Sequence, residues 1–157
     1  MLQRLQTVGS RLPESAMTTD EPNLAPLQGK VLYIEDDPIV FALVEGLLSV
    51  HPGLRLVHAL NGNDGVLLAR SEHPDAVLLD MHLPDISGVD VVRNLSQDIA
   101  DRRFRVILLT ADKLNIQVLK AMSLGAFEYL VKPVNLEALE AALRRALSGK
   151  AGTRPSR

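Results

Sequence analysis

The sequence contains no cysteine among its 157 residues. This absence excludes a disulfide framework and any metal site built on thiolate ligands, and it fits the reducing conditions of the cytoplasm, where we expect the protein to act. Long apolar runs are also missing, because no stretch approaches the roughly 18 apolar residues that a membrane-spanning helix needs. Residues 1–10 lack the continuous apolar stretch of a signal peptide. We therefore expect no membrane insertion.

The chain also lacks a large excess of positive or negative charge. The formal net charge is only −2, so the composition shows no basic footprint of the kind that binds the phosphate backbone of nucleic acids. Direct binding to nucleic acid is therefore not expected. Apolar residues make up 46% of the chain, which is typical of a globular protein, and the length suits a single domain with one substantial core.

The chain divides into three segments by composition. Residues 1–28 contain several prolines and scattered charges without sustained periodicity, which is typical of a flexible N-terminal extension. Residues 29–149 are expected to form the folded domain, and residues 150–157 a polar C-terminal tail. Because this tail is too short for a DNA-binding or enzymatic module, we expect a stand-alone domain.

Short apolar runs alternate with stretches of helical periodicity throughout the folded domain, and this alternation predicts βα units and a parallel sheet. The apolar runs are residues 31–34, 54–59, 76–79, 106–109 and 129–131. The second run is more polar, as expected of an edge strand, whereas the first, third and fourth are typical of central strands. A strand order of 2-1-3-4-5 satisfies these preferences with right-handed crossovers. We therefore predict an α/β doubly wound sandwich.

The helices are predicted from their caps and their apolar periodicity. Asp37 is expected to be the N-cap of the first helix, with Pro38 at its first position. The predicted core face of this helix consists of Val40, Leu43, Val44, Leu47 and Leu48. A helix is expected through Ile116, Leu119 and Met122 after the fourth run, and the methionines and leucines along the helices are expected to be core. The histidines expected to be solvated, in loop or edge positions, are His51, His58 and His73.

Reactive side chains stand at the ends of four predicted strands. Glu35, Asp36 and Asp37 follow the first strand, and Asp80, Thr110 and Lys132 end the third, fourth and fifth. Because ligands of an open parallel sheet bind beyond the carboxyl ends of its strands, we expect these side chains to converge there. Clustered carboxylates repel one another unless a cation lies among them, and Mg²⁺ prefers carboxylates, waters and a phosphate oxygen. The group therefore predicts metal-assisted phosphoryl chemistry, with Asp80 as the nucleophile that forms an acyl phosphate.

Four segments resemble the motifs of the response-regulator receiver domain of two-component signalling and phosphorelays. They are residues 34–38 (Ile-Glu-Asp-Asp-Pro), 79–84 (Leu-Asp-Met-His-Leu-Pro), 109–111 (Leu-Thr-Ala) and 129–133 (Tyr-Leu-Val-Lys-Pro). Each segment alone is a weak signal, but four at this spacing are specific, and the resemblance covers residues 29–149. It implies the flavodoxin-like (βα)5 fold of a chemotaxis receiver, with the strand order given above.

The resemblance implies a role for each residue of the acidic group. Asp80 is expected to be the phosphoacceptor. Asp36, Asp80 and the backbone carbonyl of Met81 are expected to bind Mg²⁺ or Mn²⁺ directly, and Glu35 is expected to act through a water molecule. Asp37 lies one position beyond the acidic pair and is expected to be only a helix cap.

The resemblance also implies roles for residues on the later strands and loops. Thr110 is expected to be the switch hydroxyl and Lys132 the ammonium, and both would stabilise the phosphoryl group. Tyr129 resembles the switch aromatic that turns inward upon phosphorylation. His82, two residues after the phosphoacceptor, is expected to affect the lifetime of the acyl phosphate. The Lys132–Pro133 peptide bond is cis in many relatives, and we expect it to be cis here.

The function implied is that of a signalling phosphoacceptor, not an enzyme, with only self-catalysed phosphotransfer and autodephosphorylation. A sensor histidine kinase or a histidine phosphotransfer protein would donate the phosphoryl group, and the altered surface of residues 110–133 would bind a downstream target protein. One alternative is a pseudo-receiver, which keeps the fold without phosphorylation but usually lacks the acceptor, the acidic pair or the lysine. Another is a phosphatase of the haloacid-dehalogenase type, which needs a second aspartate where this chain has His82.

Overall fold

The computed structural model describes residues 24–153 and, among these, side chains as far as residue 148. At its centre lies a sheet of five parallel strands in the order β2-β1-β3-β4-β5. The strands are β1 (Gly29–Ile34), β2 (Leu54–Ala59), β3 (Ala76–Asp80), β4 (Arg105–Thr110) and β5 (Glu128–Val131). The predicted fold class and the predicted strand order are confirmed.

Helices cover both faces of this sheet. They are α1 (Pro38–Leu48), α2 (Gly62–Ser71), α3 (Gly88–Asn94), α4 (Ser96–Ala100), α5 (Ile116–Ser123) and α6 (Leu136–Thr153). One apolar core joins the sheet to α1 and α6, and a second core joins it to α2, α3 and α5. Within residues 24–153, none of the helices combines the length and the apolar character needed to cross a membrane.

Strand β1 shows how one strand serves both cores. Leu32 and Ile34 face the core with α2, α3 and α5, whereas Val31 and Tyr33 face the core with α1 and α6, and all four are 0% exposed. Successive side chains of a strand point to opposite faces, so a strand covered on both faces has a continuous apolar sequence. β2 lies at the edge and is mostly half-buried, which explains its more polar sequence.

The register of the sheet aligns the carboxyl ends of its strands. Ile34 lies opposite Leu79, Asp80 opposite Leu109, and Thr110 opposite Val131. A backbone hydrogen bond extends this alignment, because the amide of Lys132 donates to the carbonyl of Thr110 at 2.7 Å. The residues that follow β1, β3, β4 and β5 therefore emerge together at one edge of the sheet.

Helix α1 begins as predicted but buries a narrower face than predicted. The side chain of Asp37 caps the helix by accepting a hydrogen bond from the amide of Ile39 at 2.9 Å. Val44 and Leu48 are buried, whereas Leu43 is 65% exposed, so its assignment to the core was wrong. Val44 and Leu48 are four residues apart, on the face of the helix that packs against the sheet. Leu43 lies about 100° around the helix from Val44, outside the stripe that the sheet covers.

Helix α5 passes through the three residues predicted for it, but the prediction that its leucine and methionine belong to the core was wrong for Leu119. Ile116 is 61% exposed and Leu119 is 50% exposed, while Met122 is partly buried against the core. Val118 and Ala121 are buried instead. The helix carries apolar residues on more than one face, so periodicity alone does not identify the buried one. Packing against the sheet and α3 selects the face that contains the small Ala121, which allows close approach.

The start of the described segment packs onto the domain. Leu27 is 3% exposed, and its amide donates a hydrogen bond to His51 Nδ1 at 3.0 Å. Arg144 Nη1 donates to the carbonyl of Ala25 at 2.7 Å. Helix α6 continues to Thr153, four residues beyond position 149. The rest of the predicted extension and of the predicted tail, residues 1–23 and 154–157, lies outside the described residues.

Candidate acidic site at the carboxyl end of the sheet

Three carboxylates converge where β1 and β3 end. Ligand oxygens of Glu35, Asp36 and Asp80 all lie within 4.8 Å of one another. Glu35 is 1% exposed and Asp80 is 4% exposed, whereas Asp36 faces solvent. Carboxylate oxygens at this spacing suit a hard divalent ion such as Mg²⁺ or Mn²⁺, which also takes water and phosphate oxygens on an open side. The donor set therefore fits the predicted ion.

Lys132 links two of these carboxylates. Its Nζ lies 3.2 Å from Asp80 Oδ1 and 3.4 Å from Glu35 Oε1. The backbone amide of His82 provides a second donor to Asp80 Oδ1, at 3.3 Å. The peptide bond between Lys132 and Pro133 is cis, as predicted. Lys132 follows the edge strand β5 and thus brings one positive charge to the nearly buried carboxylates of Glu35 and Asp80.

The environment of Glu35 shifts its protonation in opposing directions. Burial raises the pKa of Glu35, and the charge of Asp80 raises it further, while the amide of Asp37, the ammonium of Lys132 and the hydroxyl of Tyr33 lower it. Asp37 N donates to Glu35 Oε2 at 3.1 Å, and Tyr33 Oη donates to Glu35 Oε1 at 3.1 Å. Burial also raises the pKa of Tyr33, followed by the charge of Glu35. The Tyr33 hydroxyl therefore keeps its proton and acts as a donor at neutral pH.

The hydroxyl of Thr110 lies at the same edge of the sheet but bonds to its own loop. Thr110 is 1% exposed, and its Oγ1 donates to the carbonyl of Asp112 at 3.1 Å and accepts from the amide of Asp112 at 3.2 Å. A cavity of about 140 Å³ lies beside it, bordered also by Met81 and His82. The hydroxyl thus has hydrogen bonds that it would have to exchange before it could bond to a group on Asp80.

The loop after Asp80 contains the two other residues predicted around the phosphoacceptor. The backbone carbonyl of Met81 accepts a hydrogen bond from the amide of Gly88 at 3.2 Å. A carbonyl oxygen has a second lone pair, so this bond is compatible with metal ligation. The side chain of His82 is exposed and borders the cavity next to Thr110. Both residues therefore lie where the sequence placed them, and their roles stay predictions.

Tyr129 lies on β5 with its side chain half-buried. It is paired in register with Leu108 of β4 and packs against the core that includes α2, α3 and α5. Thr110 is two residues after Leu108 on β4, so Tyr129 lies on the neighbouring strand, two residues before the position opposite Thr110. This placement is compatible with the predicted switch role, which stays a prediction.

Two side chains behind Glu35 were not predicted as part of the site. His58 was predicted to be solvated, which was wrong: it is half-buried, and its Nε2 donates to the carbonyl of Glu35 at 2.7 Å. Its ring stacks on Phe41, with the ring centroids 3.7 Å apart. The second is Tyr33, for which a sequence signal existed, because residues i and i+2 of a strand share one face. No local signal indicates His58, because its contact depends on the register in which β2 pairs with β1.

His51 was also predicted to be solvated, and this was wrong. It is 8% exposed, its Nδ1 accepts a hydrogen bond from the amide of Leu27, and its Nε2 pairs with Glu140. His51 precedes β2, so this contact lies at the amino-terminal end of the strands, opposite the acidic site. His73 is exposed, as predicted.

Known proteins match the folded segment that carries this site. The profile of the response regulator receiver domain matches residues 31–144. Protein PilH of Pseudomonas aeruginosa is 33% identical over 120 residues, which cover 76% of this chain and 98% of PilH. Transcriptional regulatory protein AfsQ1 of Streptomyces coelicolor is 37% identical over 117 residues, which cover 74% of this chain and 50% of AfsQ1. The chain thus spans nearly all of one relative and about half the length of the other.

Solved structures show the same architecture. The crystal structure of the signal receiver domain of a putative Luxo repressor protein from Vibrio parahaemolyticus is similar with a TM-score of 0.72 and 26% sequence identity. The similarity covers 80% of this chain and 94% of that chain. Because the matched profile spans most of the sequence and the strand order is that of a receiver, the protein belongs to the response regulator receiver domain family of two-component signalling.

Proposed function

We propose that this protein is a phosphate-accepting receiver in which Asp80 takes a phosphoryl group from a phosphohistidine. The observation that carries the proposal is the surroundings of Asp80: a nearly buried carboxylate at the end of a central strand, clustered with Glu35 and Asp36 and bonded by Lys132 at 3.2 Å. Gathering three acids at a buried strand end is costly unless a cation and a ligand use them. An aspartate that only terminated a strand would not need such neighbours.

The proposed reaction is a transfer between two nucleophiles. An oxygen of Asp80 attacks phosphorus, an O–P bond forms, and the P–N bond to the donor imidazole breaks, with the electron pair left on the imidazole nitrogen. The ammonium of Lys132 and the amide of His82 both bond to Oδ1, so we assign the attack to Oδ2. The product is an acyl phosphate, and its hydrolysis returns the free carboxylate and inorganic phosphate.

The metal would be held by residues on β1 and β3. We assign direct ligation of Mg²⁺ or Mn²⁺ to Asp36, Asp80 and the Met81 carbonyl, and an indirect contact through water to Glu35. When bound, the ion neutralises negative charge on the phosphoryl oxygens. Glu35 suits the indirect role because it is 1% exposed and its carboxylate is held at one oxygen by Tyr33 and at the other by the amide of Asp37. Asp36 suits direct ligation because it is exposed and lies in the same cluster of carboxylates.

The remaining site residues respond to the new group. Lys132 is positioned to follow negative charge from the carboxylates to the phosphoryl oxygens. The hydroxyl of Thr110 would exchange its two bonds to Asp112 for one to a phosphoryl oxygen. Tyr129 would then turn inward beside it. His82, which borders the same cavity, would control how water reaches the acyl phosphate and hence its lifetime.

The signal would leave the domain through the surface formed by residues 110–133. The apolar side chains that face solvent there are Leu114, Ile116, Leu119 and Val131, which are 51%, 61%, 50% and 38% exposed. Three of these four side chains lie within residues 114–119, and exposed apolar groups that lie close together are typical of surfaces that bind another protein. Phosphorylation of Asp80 would move the adjoining Thr110 loop and so change the affinity of this surface for a downstream target protein.

The proposed system has a donor, the receiver and a target. We propose that residues 29–149 act as the receiver and that a sensor histidine kinase or a histidine phosphotransfer protein donates the phosphoryl group in the cytoplasm. Transfer from the phosphorylated chain back to a purified phosphotransfer domain would distinguish a relay intermediate from a switch that acts on a target.

Incubation of the purified chain with Mg²⁺ and acetyl phosphate, followed by intact mass measurement, tests the proposal. We expect one phosphoryl adduct on the wild-type chain, none on Asp80→Asn, and none when EDTA removes the metal. Asp37→Asn is the matched control, since an asparagine caps a helix as well as an aspartate does, and it should be phosphorylated like the wild type. A wild-type chain that takes no adduct, or an adduct that persists in Asp80→Asn, contradicts the proposal; the first result favours a pseudo-receiver.

A further inference from the structure

A buried tyrosine that the proposed phosphotransfer does not use supports the acidic site from behind. Tyr33 is 0% exposed on β1, and its hydroxyl donates to Glu35 Oε1 at 3.1 Å. We propose that Tyr33 is a positioning residue of the divalent-metal site, which holds the carboxylate of Glu35 in the orientation that metal binding requires. This inference rests on the proposed function, because it concerns the same site.

Glu35 is held at both of its carboxylate oxygens. Oε1 accepts from Tyr33 and lies 3.4 Å from Lys132 Nζ, while Oε2 accepts from the amide of Asp37 at 3.1 Å. The terminal torsion of a glutamate is otherwise broad, so donors on two different oxygens restrict a rotation that one donor would leave free. Lys132 is shared with Asp80 and does not orient Glu35 alone. The neutral hydroxyl of Tyr33 is therefore the side-chain donor dedicated to this carboxylate.

The ring that carries this hydroxyl is itself fixed by neighbouring rings. The ring centroid of Tyr33 lies 5.5 Å from that of Phe41 on α1, and Phe41 stacks on His58 of β2 with the centroids 3.7 Å apart. His58 Nε2 donates to the carbonyl of Glu35 at 2.7 Å. Of the three rings in contact, the first therefore bonds to the side chain of Glu35 and the last to its main chain. The same packed group thus positions both the side chain and the main chain of Glu35. Such outer contacts orient metal ligands before the ion arrives.

The contact between Tyr33 and Glu35 depends on the length of the glutamate side chain. They lie two residues apart on one face of the chain, and the tyrosine hydroxyl reaches to the carboxylate beyond the end of β1. An aspartate at position 35 would withdraw the carboxylate by one C–C bond, about 1.5 Å, which takes a 3.1 Å contact out of hydrogen-bond range. Tyr33 should therefore affect metal binding when residue 35 is Glu and lose that effect when it is Asp. Simple packing of the ring predicts no such dependence.

A double-mutant cycle on Mn²⁺ binding by the full-length, unphosphorylated chain tests the inference. The free ion is followed by electron paramagnetic resonance in the wild type, Tyr33→Phe, Glu35→Asp and the double variant. Tyr33→Phe is expected to weaken Mn²⁺ binding about ten-fold, the usual effect of removing an outer hydrogen bond to a metal site. In the Glu35→Asp background the same change is expected to alter binding less than about two-fold, because the two residues act as one unit.

His51→Gln is the matched control for stability, because His51 is also buried and hydrogen-bonded but lies at the other end of the strands. It should lower the Tm and leave Mn²⁺ binding unchanged. Equal Mn²⁺ affinities of Tyr33→Phe and the wild type would overturn the inference and leave the proposed function intact. The same conclusion would follow if Tyr33→Phe weakened Mn²⁺ binding equally in the wild type and in Glu35→Asp. A wild-type chain that binds no Mn²⁺ at millimolar concentration would overturn both, which separates the two failures.

Discussion

The ammonium of Lys132 lies 3.2 Å from Asp80 Oδ1, although the two residues are 52 positions apart in the sequence. The contact joins the edge strand β5 to the central strand β3 across β4, and it depends on the alignment of their carboxyl ends. The same ammonium lies 3.4 Å from Glu35 Oε1. One cation therefore connects the proposed phosphoacceptor to the acidic pair.

Replacing Lys132 with methionine removes this charge and keeps most of the side-chain volume. The rate of phosphorylation by acetyl phosphate is expected to fall roughly 100-fold, because a charge that stabilises the transferring group is lost. Lys30→Met is a matched control: Lys30 is 26% exposed against 25% for Lys132 and pairs with Glu72 at 3.1 Å, but it lies at the start of β1. Mass spectrometry over time measures both rates. Similar rates for Lys132→Met and Lys30→Met would contradict the assigned role.

The buried carboxyl of Glu35 is expected to make the stability of the metal-free protein depend on pH. Burial raises the pKa of Glu35 above its ordinary value of 4.5, so the folded chain binds more protons than the unfolded chain just above that pH. The stability that Glu35 contributes is full when it is protonated and is lost as the pH rises through the folded pKa. In Glu35→Gln this loss is absent, so the free energy of unfolding relative to wild type should increase from about pH 4.5 towards neutrality.

Urea unfolding at a series of pH values, with EDTA present, measures this difference. A difference that stays constant or shrinks as the pH rises would show that Glu35 ionises as easily in the folded chain as in the unfolded one.

The amide of Asp112 should report the movement of the Thr110 hydroxyl. In the structure this amide donates to Thr110 Oγ1 at 3.2 Å. If phosphorylation draws the hydroxyl away, the amide loses its acceptor, and its hydrogen exchange should accelerate roughly ten-fold, the equivalent of one net hydrogen bond. Exchange measured by NMR with and without Mg²⁺ and acetyl phosphate tests this. Thr110→Val lacks the bond in both states and should show no change; an equally protected Asp112 amide in both states of the wild type would count against the switch.

Two leucines on α1 test the observed orientation of this helix. Leu48 is 4% exposed and Leu43 is 65% exposed. Leu48→Ala should therefore lower the free energy of unfolding by about 3 kcal/mol, as is usual for a buried leucine. Leu43→Ala should change it by less than about 0.5 kcal/mol, as is usual at the surface. Urea unfolding of the two variants decides between the observed face and the predicted one, and equal losses would favour the predicted face.

Much of the fold could be predicted because its signals are local. Each predicted strand lies within an observed one, since a buried parallel strand is a short continuous apolar run. The cap at Asp37 was predicted from its position before Pro38. The convergence of Glu35, Asp36, Asp80 and Lys132 followed from one rule about the ends of parallel strands. The chemical roles assigned to these residues stay predictions until the experiments above are done.

Other features could not be predicted because they depend on neighbours distant in the sequence. The exposure of Leu43, Ile116 and Leu119 depends on which side of each helix meets the sheet. The burial of His51 depends on Leu27 and Glu140, and the contact of His58 depends on the register in which β2 pairs with β1.

The sequence by itself determined the strands and the residues that meet at their carboxyl ends, because strand periodicity and strand ends are properties of short segments. The order of the strands followed from the polar second run and from the resemblance to a known family. Only the tertiary structure decided which donors hold each carboxylate. Lys132 is divided between Asp80 and Glu35, Tyr33 is dedicated to Glu35, and Thr110 bonds to Asp112. The physical reason is that a hydrogen bond requires partners within about 3 Å, and packing sets distances on that scale.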